Sequence, residues 1–253
     1  MKEKHRKTEK KYSGAEKATA FFLVLGLIFV VFNQFQLMSL GSGNGIVPTG
    51  VTLAQAAVIP TGTPEIYGGE LGISYDGVST SDPGLADQTI AVMSNLDRTL
   101  TLEGDDLERY IDVVSEISCE YCCGAQSIIV RRADVESMNQ KIEAAIESGE
   151  ITEDQAERYR KEAGDSACGC AHSYAMRGLA KYLIIEHGDE FTDEEILGEL
   201  SKWKTLYFPG QMTAKAAIME EKGIEFSYAA LGSNENRDIE KGATAGSGMV
   251  GGC

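Results

Sequence analysis

Six cysteines fall at three places in the chain: Cys119-Glu120-Tyr121-Cys122-Cys123, Cys168-Gly169-Cys170-Ala171-His172, and the terminal Cys253. Cys119 and Cys122 have the C-x2-C spacing that lets two thiolates grip one ion. Cys168, Cys170 and His172 put two thiols and an imidazole at alternate positions where a helical pattern begins. Backbone N–H groups are unpaired at such a helix start and the dipole favours negative charge, so a thiolate is stabilised there. Four donors from this set make a tetrahedral site. Zinc suits four thiolates or three with an imidazole, copper(I) favours soft thiolates, and an iron-sulfur cluster takes four cysteines. Cys119, Cys122, Cys168 and Cys170 are the first-choice metal ligands, His172 the next, and Cys123 and Cys253 follow.

Two other chemistries fit the same residues. An even cysteine count outside the cytoplasm is compatible with disulfides, and six thiols admit about 15 pairings. The Cys122-Cys123 neighbours and the C-x-C pair are poor partners within themselves, so such bridges would run between the groups. Thiol-disulfide exchange at Cys119 and Cys122 is the third reading, although no thioredoxin-like βαβ pattern surrounds them. Covalent haem needs C-x-x-C-H, and Cys123 stands where that histidine belongs. His5, in the basic tail, and His187, at a helix end, are incidental. Trp203, Tyr182 and Tyr207 sit at core spacing. The carboxylates of 189–199 read as a solvated helix start and not as an acid/base pair, so binding is favoured over catalysis.

The elements that must position these groups are mostly helical. Asp82-Pro83 supplies an N-cap and a first helical position for a helix through about Leu96, and Thr99 to Leu102 suggest a short strand or extended link. Asp105 can cap a helix carrying Leu107, Tyr110, Ile111, Val114 and Ile117, which delivers Cys119 at its C-terminal end. Ser127 to Val130 is β-like and can pair with the segment before Cys168. Between them, residues 134–164 form a polar helical hairpin, an excursion that returns the chain so that the two cysteine groups meet. A helix from His172 to His187 closes at Gly188. Thr192 with Glu195 opens the next as a capping box, Phe208-Pro209-Gly210 stops it, and another runs to Lys222.

Residues 20–40 are an uncharged apolar run of about twenty residues, the length needed to cross a bilayer core of about 30 Å. Lysines and arginines crowd the segment before it and none follows until Arg98, so the positive-inside rule puts the N-terminus in the cytoplasm and the rest outside. A cleaved signal peptide competes, since Ser39, Gly41, Ser42 and Gly43 are small, but the run exceeds a normal signal core. Asn33, Gln34 and Gln36 fit the membrane interface or a hydrogen bond to another helix, which leaves room for a homo-oligomer or a membrane-protein partner. The expected organisation is a basic tail (1–17), a transmembrane anchor (18–40), a Gly/Thr/Pro-rich linker (41–82), an α-rich Cys/His domain (83–231) and a flexible tail (232–253). The fold class is mainly α, with a small β hairpin that makes it α+β. The net charge of -16 repels phosphate backbones and argues against a nucleic-acid partner.

The strings CEYCCGAQSII, CGCAHSYAMRGLAKYL and TDEEILGELSKWKTLYFPGQM, with the terminal VGGC, resemble a family of archaeal single-pass membrane proteins for which no activity is implied. The resemblance spans most of residues 18–253. The segment from Cys168 to Phe208 is also distantly similar to cysteine-containing helical hairpins of cytochrome c maturation subunits and to secreted proteins with a Cys-Tyr-Cys-Gly-Cys motif. Cys168-Gly169-Cys170-Ala171-His172 departs from both patterns, which weakens a thiol-reductase assignment.

Overall fold

The computed structural model describes residues 58–79, 81–242 and 248–251. The basic tail, the expected anchor with its competing cleavage site, the first part of the linker, His5 and Cys253 lie outside the described residues. In chain order the helices are α1 (Gly68–Leu71), α2 (Pro83–Thr99), α3 (Gly104–Ser115), α4 (Arg132–Glu147), α5 (Glu153–Ala156), α6 (Ala171–His187), α7 (Asp193–Tyr207), α8 (Pro209–Glu221) and α9 (Tyr228–Gly232). Short 3₁₀ turns lie at Tyr75–Gly77 and Asn234–Asn236. The architecture is mainly helical, and the small β element is reduced to isolated antiparallel bridges, among them Cys119 with Ala125 and Ile129 with Ser166.

The helix starts follow local chemistry. Asp82 accepts the Leu85 N–H at 3.1 Å ahead of Pro83, and Thr192 with Glu195 and Thr152 with Gln155 form reciprocal capping boxes. Asp105 is not the cap of α3, which starts one residue earlier after Glu103. Asp105 and Asp106 instead occupy the first turn, where the dipole favours carboxylates.

The core is built on α6 and α7. From α6 come Ala175, Met176, Leu179, Ala180, Leu183 and Ile184, and from α7 Ile196, Leu200, Trp203, Leu206 and Tyr207, all buried. Each large side chain among them contributes roughly 1.5–3 kcal/mol of burial. α2 lies along α6, and the two backbones touch at Gly178: a Cβ there would stand 1.9 Å from the Met93 carbonyl oxygen. No side chain larger than hydrogen fits that crossing.

Three expectations are corrected by this packing. From Val58 onward the presumed linker is part of the domain: Tyr67, Ile73, Tyr75 and Val78 are buried, and the stretch contains α1. Glu199 is not on a solvated helix start. Its Oε2 accepts the hydroxyls of Tyr67 (2.7 Å) and Tyr75 (2.5 Å), and Tyr67 in turn accepts the Trp203 indole N–H at 2.8 Å. The tail is not uniformly loose, because Asn236, Glu240 and Val250 are buried and the Val250 N–H donates to the Tyr207 carbonyl at 2.8 Å. The excursion, by contrast, matches its polar sequence. In α4 only Ile142 is buried, and ion pairs such as Arg160 to Glu143 and Glu153 (both 2.8 Å) knit the hairpin.

The α2–α6 contact sets a measurable expectation. Gly178→Ala forces the helices apart and lowers unfolding free energy by about 1–3 kcal/mol, the usual cost of overpacking, readable as a lower chemical-denaturation midpoint. An unchanged midpoint would mean that the crossing tolerates a methyl group.

Candidate metal centre

Two chain reversals and one helix start bring five thiols together. At the end of α3 the chain turns tightly, with Cys119 and Ala125 bridged and the Gly124 N–H donating to the Cys119 carbonyl at 2.9 Å. This places Cys119 inside and Cys122 and Cys123 at the solvent side. After the hairpin excursion, the segment before α6 returns beside Ser127 to Val130, as the β-like run led one to expect: Val130 N–H donates to Asp165 O at 2.7 Å and Ala167 N–H to Ile128 O at 3.2 Å. Cys168 thereby lies buried under Cys119, and Cys170 becomes the N-cap of α6.

Cys119 stands at the centre. Its sulfur is 3.4 Å from that of Cys170 and 3.4 Å from that of Cys168. Two trios form around it, Cys119 with Cys122 and Cys170, and Cys119 with Cys123 and Cys168, each with sulfurs within 4.8 Å of one another. This arrangement can hold a metal ion, and its donors are soft.

The thiols are electrostatically unequal. A hydrogen bond from Cys119 holds the Cys170 thiol far below the usual cysteine range, helped by the His172 and Ser173 side chains and the Ser173 N–H, which donates to the Cys170 sulfur at 3.4 Å. Cys170, the N-cap of α6, is thus the thiol of the cluster whose ionised form is favoured. Cys119 moves the other way, through its bond to Cys170 and through burial. Burial also pushes Cys168 up, to about 11.

His172 is buried beside the cluster and belongs to neither trio. Its Nε2 is 2.9 Å from the Val250 carbonyl, which can only accept, so Nε2 is the donor of that hydrogen bond. The imidazole packs against Tyr207 and Phe208 and pins the end of the tail next to the thiols. Gly251, with φ 84°, lies where a Cβ would meet Ile90 at 2.3 Å. His187 pairs with Glu190 at 2.9 Å and takes no part.

Charged side chains that motif reading passed over surround the thiols. Glu120, next to Cys119, receives the ammonium groups of Lys204 (2.9 Å) and Lys215 (2.7 Å), and all three charged side chains are buried. Burial works against the Glu120 carboxylate, but the two lysines outweigh it and hold its pKa at about 2. Burial lowers Lys204 to about 8 despite Glu120. Lys204 also donates to Ser118 Oγ at 3.2 Å, so it bonds the residues on both sides of Cys119. The only signal in the sequence was a lysine four residues after Leu200, on a helix face otherwise destined for the core. Arg177, 2 % exposed, donates to the carbonyls of Cys168 (2.9 Å) and Ile128 (3.2 Å) and pairs with Asp97 of α2 at 2.9 Å. It ties the two cysteine walls to the helical core.

No protein-family model matches the chain, and no curated protein or solved structure matches it.

Removing the Glu120 charge tests this surround. Glu120→Gln leaves the buried Lys204 ammonium without a counter-charge, and Lys215 with only Glu240 at 3.9 Å, and costs about 3–5 kcal/mol in denaturant titrations. The Glu120 pKa falls from an unfolded value near 4.5 to about 2, so its stabilisation is complete above pH 4.5 and disappears as pH drops toward 2. The variant shows a flatter loss of stability than wild type across that window; parallel acid profiles would refute the assignment.

Proposed function

We propose that this protein is a membrane-anchored, extracytoplasmic metal-binding protein whose thiolates hold a soft metal ion. The observation that carries the reading is the convergence of five cysteines, from loops some 45 residues apart in sequence, on the Cys119 sulfur. A structural role alone would be served by apolar side chains, whereas adjacent thiols, one of them with a lowered pKa, make a ready ligand set. Cys122 and Cys123 at the solvent side supply the entry path. The apolar run 20–40 and the basic segment before it support the anchor and the outward-facing domain. The role consistent with these features is metal handling, electron transfer or stabilisation of the loops.

The test is elemental analysis with thiol counting on full-length protein prepared without oxygen. The expected result is metal in at least stoichiometric amount. Cys119→Ser should then lose more affinity than the about 10–100-fold that follows loss of an outer-shell partner. Metal-free protein with all thiols oxidised would overturn the reading.

One observation favours a second reading, thiol-disulfide exchange. Cys170 is a half-buried thiol whose pKa is lowered, with Cys119, whose pKa is raised, 3.4 Å from it. The Cys170 thiolate would attack a substrate disulfide and release one substrate thiolate. Cys119, giving up its proton, would then displace the second, leaving a Cys119–Cys170 disulfide and a reduced substrate. Under this reading the metal-free protein reduces a model disulfide and Cys170→Ser abolishes the reaction; an inert wild-type protein excludes it.

A further inference from the structure

The thiols do not converge on a single point. Among the described residues they form two trios that share one member, and no fourth thiolate, carboxylate or imidazole groups with either. The shared member is Cys119, in contact with Cys170 on one side and Cys168 on the other. We propose that the cluster binds two copper(I) ions bridged by the Cys119 thiolate, one completed by Cys122 and Cys170 and the other by Cys123 and Cys168. This rests on the metal-binding reading and specifies its cargo.

The geometry selects the ion. A planar three-coordinate ion with metal–sulfur bonds of about 2.3 Å needs sulfurs about 4.0 Å apart. Contacts of 3.4 Å within trios whose sulfurs all lie inside 4.8 Å bracket that spacing. A structural zinc or an iron-sulfur cluster calls for four protein ligands, which neither trio offers by itself, while copper(I) accepts three soft thiolates. A sulfur keeps lone pairs after binding one metal, so the central thiolate can serve both ions.

Part of the charge is met locally. Two monovalent cations and five thiolates leave three negative charges once five protons have departed. The N-terminus of α6 faces Cys170, Lys204 bonds the residues flanking Cys119, and Arg177 donates to the Cys168 carbonyl. Lys204 and Arg177 already face Glu120 and Asp97, so they and the N–H dipoles offset an anionic cluster in part. Each trio contains one solvent-side thiol, Cys122 or Cys123, so each ion has its own way in.

The test is titration of the full chain in detergent, free of oxygen, with copper(I) supplied from a chromogenic chelator and bound ions counted by native mass spectrometry. Wild type should take two coppers, Cys122→Ser and Cys123→Ser one each, and Cys119→Ser neither. The two outer thiols are exposed and their serine variants are near-isosteric, and helical circular dichroism of all three variants checks their fold. A single copper in wild type, lost with one outer thiol and indifferent to the other, would overturn the bridged pair and leave metal binding standing. One tightly held zinc in place of copper would do the same. A chain that takes up neither metal overturns both proposals.

Discussion

Arg177 is the interaction on which the site depends. Its guanidinium enters the core from α6, pairs with Asp97 on α2, and spends its remaining hydrogen bonds on the backbone carbonyls of Ile128 and Cys168. Those carbonyls belong to two loops that no regular sheet supports, since only isolated bridges link them. An always-charged, planar donor is suited to this, because it can satisfy several buried acceptors at fixed angles while its own charge is met by a carboxylate. Lys181 adds a second cation to Asp97 at 2.8 Å, so the carboxylate is itself held in place. The clamp holds the Cys168 backbone directly, and the Cys119 segment only through Ile128, whose N–H donates to the Ile117 carbonyl at 3.2 Å.

A second buried ionic group works on the other side. Glu120, Lys204 and Lys215 are removed from water, which is costly unless each charge is met, and here one carboxylate serves two ammonium groups. Glu240, also buried, faces Lys215 at 3.9 Å, so two carboxylates meet the two ammonium groups. Lys204 also stands beside Cys119, so an ionised thiol there and the ammonium stabilise one another. Cys170 at the helix start contributes the same logic with backbone dipoles instead of side chains.

The helices themselves were legible. Asp82-Pro83, the Thr192–Glu195 capping box and the stop at Phe208-Pro209 are local signals, and the helix starts and stops they predict are observed. The pairing of Ser127–Val130 with the segment before Cys168 was also readable, because an apolar β-like run beside a turn has few other partners. Less legible were the stretches whose fate depends on distant contacts. Tyr67 and Tyr75 lie in a Gly- and Thr-rich segment that reads as a tether, and they are buried because Glu199, over 120 residues later, accepts both hydroxyls. Val250 looked like part of a loose tail, and it is held by Tyr207 and His172.

The sequence by itself determined the chemistry available: three groups of soft donors, a thiol at a helix start, an excursion long and polar enough to return the chain, and an acidic composition that disfavours nucleic acid. Spacing along the chain is sufficient for those statements because caps, turns and helical periodicity are local. Tertiary structure decided which thiols meet, that Cys119 is their common centre, that His172 faces a backbone carbonyl outside both trios, and that buried lysines stand beside the site. Those outcomes turn on where side chains from α6, α7 and α8 point once α6 and α7 have packed, and on a backbone contact at Gly178 that no motif announces.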